Sequence, residues 1–235
     1  MERLTNIYGK LTDFEGNSIA NGDVDIYNDK FSHFVYRSKT DESGNYNLEV
    51  KSGIYMAIAA VKDHGIKYLE YWGWNLPAFE DMEINMRING LEVYAINAFM
   101  IQRSRPNNSL MIYFRPMSLK RVQKFREGIG TGNDTILDVT PTLDKNDIDV
   151  TVDGQQVEII GMNRVMEEVV ESHQKVMGYL IQVSISGIEF KQQYSKIHIA
   201  LKDKETGEKG EGSLFWQKPE AFNSYIKQDK DMRRV

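Results

Sequence analysis

Thr40-Asp41-Glu42-Ser43-Gly44-Asn45-Tyr46-Asn47-Leu48-Glu49-Val50 is the stretch that decides the fold. The short carboxylate of Asp41 suits a turn because it can accept backbone N–H groups one or two peptides ahead, and Gly44 supplies a positive φ at no steric cost. After the turn, Tyr46, Leu48 and Val50 alternate with Asn47 and Glu49. A period of two is the mark of a strand with one buried face. Outward from this unit the rhythm repeats. Ile7–Thr12 alternates and ends in the turn Asp13-Phe14-Glu15-Gly16-Asn17, Val24-Asp25-Ile26-Tyr27 alternates, and Val35–Thr40 runs into the quoted turn. On the other side, Lys51-Ser52-Gly53 turns the chain into Ile54–Val61, a nearly continuous apolar run that reads as a central strand covered on both faces. Short strands punctuated by turn residues point to a sandwich or barrel.

The pattern continues through Tyr68–Trp74, Glu83–Ile88, Leu91–Met100 and Leu110–Arg115, with Asn89-Gly90 between two alternating runs as a type I′ hairpin signal. Ser118–Gly132 is polar and basic and ends in a glycine-rich run. Gly128, Gly130 and Gly132 lack both the Lys-Ser/Thr ending of a phosphate loop and a βαβ setting, so the run reads as a linker. Strands resume with Ile148–Val152, Asp153-Gly154 and Gln155–Ile160, the clearest hairpin in the chain, then Tyr179–Ile185, Lys196–Leu201 and Ser213–Trp216. Asn163–Ser172 fits either two helical turns or a charged edge strand, and periodicity does not decide between them. The expected fold is all-β: two consecutive β-sandwich domains of Greek-key, immunoglobulin/transthyretin-like type. Residues 1–118 form the first, 119–134 the linker and 135–235 the second.

The N-terminal part resembles the carboxypeptidase regulatory-like (transthyretin-like) family. Gly9-Lys10-Leu11-Thr12-Asp13, Gly16–Val24, Thr40–Val50 and Gly53-Ile54-Tyr55 stand where that family has a first strand ending in Gly-x-(Val/Leu)-x-Asp, a glycine-containing turn into a strand, the Thr-Asp-x-x-Gly-x-Tyr-x-Leu-x-Val core and a Gly-x-Tyr. Ser18 stands where the usual proline precedes Ile19. The resemblance implies a Greek-key sandwich that serves as a non-catalytic accessory, and it brings no catalytic residues with it.

Composition narrows the function. The chain has 235 residues, 41% hydrophobic and 27% charged, a balance that supports a packed core. A net charge of −5 argues against nucleic-acid binding, which needs a basic face. With no cysteine, thiol catalysis, disulfides and thiolate metal sites are excluded. No stretch approaches the roughly 18–20 apolar residues of a membrane span, so no membrane insertion is expected. The N-terminus has no apolar run of signal-peptide length, which gives a cytoplasmic expectation.

The candidate site is Tyr68-Leu69-Glu70-Tyr71-Trp72-Gly73-Trp74, which carries two of the three tryptophans. On a strand, Tyr68, Glu70, Trp72 and Trp74 share one face. Aromatic rings beside a carboxylate can stack on a sugar ring and bond its hydroxyls. Core packing and an oligomer interface are the competing readings of the same residues. Arg115 adds a guanidinium able to fork onto an acidic group, against the plainer reading of a salt bridge; Arg103 and Arg105 offer the same group. Asp144, Asp147, Asp149 and Asp153 lack the spacing of a calcium loop and read as turn acids. His33, His64, His173 and His198 have no helical ligand spacing, and His198 reads as solvent-facing or at an edge. No catalytic motif, cofactor or metal site emerges. The expected function is a non-catalytic binding or accessory protein with a carbohydrate ligand at Tyr68, Glu70, Trp72, Trp74 and Arg115. The alternative is a structural or assembly protein acting through self-association or a protein partner.

Overall fold

The computed structural model describes residues 3–29, 33–100, 109–127, 137, 139–169, 174–190 and 192–218. The strands in order are β1 (Leu4–Thr12), β2 (Asp23–Tyr27), β3 (Phe34–Lys39), β4 (Asn45–Lys51), β5 (Gly53–Val61), β6 (Tyr71–Ala78), β7 (Met82–Glu83), β8 (Met86–Arg87), β9 (Leu91–Phe99) and β10 (Ser109–Ser118). Helix α1 (Leu119–Arg126) follows, then β11 (Ile148–Val152), β12 (Gln155–Gln156), β13 (Ile159–Val169), β14 (Gln174–Ser184), β15 (Tyr194–Lys202) and β16 (Lys209–Gln217). The fold is all-β, as its strand rhythm predicts.

The turn at Thr40–Asn45 forms as its residues dictate. Asp41 Oδ1 accepts the N–H groups of Ser43 at 2.9 Å and Asn45 at 2.8 Å. Gly44 sits at φ +79°. Tyr46, Leu48 and Val50 are buried while their neighbours on β4 are exposed. Thr40 closes the turn from inside: its hydroxyl donates to Ile19 O at 2.6 Å and accepts from Gly22 N at 2.8 Å.

One eight-stranded sheet, ordered β12-β11-β15-β16-β6-β5-β2-β3, runs through both halves of the chain. The seam is a short parallel pairing of β16 with β6, Gly212 beside Trp72 and Leu214 beside Trp74. A smaller sheet, β4-β1-β7 with β8 also on β1, covers the N-terminal half, and the sheet β13-β14-β10-β9 covers the C-terminal half. The two covers lie on opposite faces. Alternation along β16 shows it: Phe215 joins the core that contains Ile7, Val24 and Tyr71, whereas Leu214 and Trp216 join the core that contains Val93, Phe114 and Ile181. Every β16 residue from Gly210 to Trp216 is buried because both faces of the strand are occupied.

Several local expectations change in three dimensions. Asn89-Gly90 makes no hairpin, and neither residue has a positive φ. β8 pairs with β1 and β9 with β10, so these two residues carry the chain from the first core to the second. β9 and β10, which precede the expected division at 118, pack in the second core. Leu119–Arg126, within the expected linker, is a helix: Ser118 accepts from Arg121 N, and the Glu208 carboxylate accepts from Lys120 N at 3.0 Å. These contacts satisfy N–H groups that a helix start otherwise leaves without partners. The glycines at 128–132 lie outside the described residues. Asn163–Val169 is strand, the second of its two readings, because pairing with β14 supplies its hydrogen bonds. Asp153-Gly154 does form the expected turn, at φ +48° and +77°, but β12 is two residues long and the chain then crosses to the other sheet.

Candidate functional site

The outer face of β5, away from the first core, is floored by Ala57 and Ala59. Tyr27 and Asp25 of β2 flank these alanines on one side, and Trp74 and Trp72 of β6 on the other. Because the floor is two methyl groups, the large rings lean over it. Trp72 and Trp74 stack with centroids 5.3 Å apart and planes 19° apart. Tyr27 lies 5.7 Å from Trp72. From the sheet over the second core, Tyr94 of β9 sets its ring edge-on against both indoles at 5.5 and 5.2 Å. Trp72 is only 5% exposed, while Tyr27, Trp74 and Tyr94 are half-buried. Asn75, at φ +56°, follows Trp74 and breaks the alternation, so that Leu76 returns to the first core.

Glu70 stands just before β6. Glu92 comes from β9, two residues before Tyr94 and on the same face. His64 lies in the turn after β5. One ligand atom from each of these three falls within 4.8 Å of the others. Glu92 is 2% exposed, and its Oε2 has no hydrogen-bond partner among the described residues. Burial, reinforced by the Glu70 charge, pushes the Glu92 carboxyl up to about 8, against the opposing pull of Trp72, Arg115 and the Glu70 backbone N–H. Burial also raises Glu70, with Asp25 adding to the effect and His64 and Trp72 opposing it. Burial, then Asp25 and Glu70, push the Tyr27 hydroxyl up to about 12. The cluster thus places acidic groups in a poorly solvated corner that favours their neutral, protonated forms.

Of the residues marked from sequence, Glu70, Trp72 and Trp74 come together here. Arg115 reaches the cluster through Tyr94, its guanidinium 5.0 Å from the ring centroid, and is also held by Glu167 at 3.2 Å, the salt bridge of the plainer reading. Tyr68 does not join them. It precedes β6 and packs against the first core, so strand alternation does not extend back to it. Arg103 and Arg105 lie outside the described residues. His64, Glu92, Tyr94 and Tyr27 were not marked as part of this site. The one local signal was a carboxylate set in the apolar run Leu91-Glu92-Val93-Tyr94.

On the opposite face, the small sheet and β15–β16 enclose a cleft of about 810 Å³ lined by Lys10, Arg87, Thr151, Lys196, His198 and Glu211. His198 Nδ1 lies 3.0 Å from Ser213 Oγ and Nε2 lies 3.5 Å from Glu211. His198 is therefore a partly buried network member on a strand between β11 and β16, and not the solvent-facing or edge residue that strand parity suggests. Burial acts to raise the Glu211 carboxyl, but His198 and Arg87 outweigh it and hold the group below its ordinary value. Ser213 is wholly buried and also accepts from the Tyr71 hydroxyl at 3.0 Å, so this Ser-His-Glu arrangement offers no accessible nucleophile. The acidic run is structural: Asp144 caps a 3-10 turn, Lys204 bridges Asp144 and Asp147, and Asp153 accepts from Lys196 N.

No family model matches the chain, and no curated protein matches it. Among solved structures it is similar to a DUF3823 family protein from Parabacteroides merdae ATCC 43184, at 9% identity and a TM-score of 0.28 over 91% of this chain and 98% of that one. A DUF3823 family protein from Bacteroides ovatus ATCC 8483 gives 8% and 0.26 over 91% and 99%. BcpA, the major pilin subunit of Bacillus cereus, gives 11% and 0.28 over 90% and 69%. At TM-scores this low, nothing about the function of this chain follows from the likeness.

Proposed function

We propose that the protein is a non-catalytic structural module that assembles by pairing the free edge of β3 with the same edge of a second copy. The observation that carries this is the edge itself. β3 ends the eight-stranded sheet, and among the described residues no strand lies beyond it. Phe34 and Val35 on this strand are 43% and 47% exposed. Open edges are templates for pairing and are commonly guarded by charged side chains. The charged side chains of this strand are paired with its neighbour β2: Arg37 bonds both oxygens of Asp25 at 2.6 Å, and Lys39 bonds Asp23 at 2.8 Å. An edge that pairs with its own copy closes into a two-fold dimer with a single surface. The N-terminal resemblance to carboxypeptidase regulatory-like modules, which serve as accessories, agrees with a scaffold role.

The carbohydrate platform expected from the sequence has no support in this geometry. Trp72 is 5% exposed, stacked against Trp74 and covered by Tyr27 and Tyr94, so its indole offers no open face to a sugar ring. Light scattering across a concentration series tests the assembly reading. The native chain is expected to dimerise reversibly, and Phe34→Lys with Val35→Lys to stay monomeric with an unchanged circular dichroism spectrum. A native chain that remains monomeric at millimolar concentration, or a double variant that still dimerises, overturns it.

A further inference from the structure

We propose that His64, Glu70 and Glu92 bind one divalent transition-metal ion of the zinc class. The proposal does not rest on β3 pairing, since the donors come from the turn after β5, the residue before β6 and β9, and none lies on β3. The donor set is one imidazole nitrogen and two carboxylates, a combination suited to zinc and its first-row neighbours, while the lack of thiolates disfavours soft ions. The donor atoms already lie within 4.8 Å of one another. Tetrahedral coordination at bond lengths of about 2.1 Å needs separations of about 3.4 Å. His64, exposed on a turn, has room to shift toward the two carboxylates.

The second observation is Glu92. A carboxylate oxygen that is buried without a hydrogen-bond partner carries a desolvation cost that proteins seldom leave uncompensated. Glu92 Oε2 is such an atom, and the residue is aimed into the cluster with His64 and Glu70. Two carboxylates with a neutral imidazole balance a divalent ion in charge. The Trp72 indole lies beside both carboxylates and favours their charged forms, as groups behind metal ligands commonly do.

The groups facing Glu92 are Glu70, His64, Trp72, Arg115 and Tyr94. Asp25 faces Glu70, and Arg126 lies against Gly65 beside His64.

The test is calorimetric titration of the untagged, chelator-treated chain with Zn²⁺ alone. The expected result is one equivalent bound. His64→Ala and Glu92→Gln should each weaken binding at least tenfold, and His198→Ala should leave it unchanged. Should Glu92→Gln fold poorly, the exposed His64 decides. No saturable binding by the native chain, unchanged affinity in His64→Ala, or loss only in His198→Ala overturns the proposal.

Discussion

Replacing Gly210 with alanine tests the packing at the seam of the molecule. β16 passes so close to β9 that a Cβ on Gly210 would sit 2.2 Å from Leu91 O and 2.5 Å from Leu91 C. That is about 1.2 Å short of an ordinary van der Waals contact. The obstacle is backbone, so no side-chain rotation relieves it, and β9 or β16 must move. Overpacking of this kind costs roughly 1–3 kcal/mol, and a backbone obstacle belongs at the upper end. Alanine gives back about 0.4–1 kcal/mol by restricting the unfolded chain. The net loss should be about 2 kcal/mol, equivalent to roughly 4–8 °C in Tm for a chain of this size. Gly53→Ala is the matched control: it also lies on a strand, and nothing lies within 4 Å of its added Cβ. It should be neutral or slightly stabilising. Calorimetric melting of both variants measures the difference. A Gly210→Ala protein that melts with its Gly53→Ala counterpart would show that β16 and β9 do not approach as described.

Three further outcomes follow from buried polar groups. Unfolded Glu92 ionises near 4.5 and the folded group near 8, so between these values the folded protein holds a proton that the unfolded chain releases. Metal-free stability should thus fall as pH rises across that window, and Glu92→Gln should flatten the profile and gain on the order of a few kcal/mol at pH 8; parallel Tm–pH curves for the two proteins would contradict this. Glu211 is 3% exposed and is bonded by Arg87 through Nε at 2.7 Å and through the backbone N at 2.9 Å. Arg87→Met should cost about 2–3 kcal/mol, at or below the range for a broken buried pair because the backbone N–H and His198 remain. Since Glu211 is held below its ordinary value, its contribution is present above that value and lost as pH falls through the folded one; Arg87→Met should move that loss to higher pH, which urea titrations at several pH values will reveal. Thr40→Val keeps shape but strands Ile19 O and Gly22 N, and should cost about 2–3 kcal/mol. A chemical melt within experimental error of the native one would refute that account.

Local chemistry was sufficient for much of the fold. Asp41 and Gly44 shape their turn from side chain and φ alone, and period two in Tyr46-Asn47-Leu48 states which face is buried. The Asp153-Gly154 turn forms for the same local reason. Asn89-Gly90 shows where such reasoning stops. The dipeptide permits a hairpin, but the strands on either side find better partners, β1 and β10, and the turn is not made. Asn163–Val169 was ambiguous because its amphipathic pattern serves either structure; pairing with β14 decided it.

The candidate site divides along the same line. Trp72 and Trp74 share a face by alternation, so their proximity was readable along one strand. Tyr68, in the same run, was misplaced because the strand begins only at Tyr71. His64, Glu70 and Glu92 meet only because β6 and β9 are brought together where the two halves join, and no local spacing encodes that meeting. Side chains a few residues apart were enough for most of the strands, for the buried face of β4 and for the turn at Asp41–Gly44. Tertiary structure alone decided that β16 would join β6 into one sheet through both halves. That choice rests on burying both faces of β16 against two separate cores, an energy spread over residues more than a hundred positions apart.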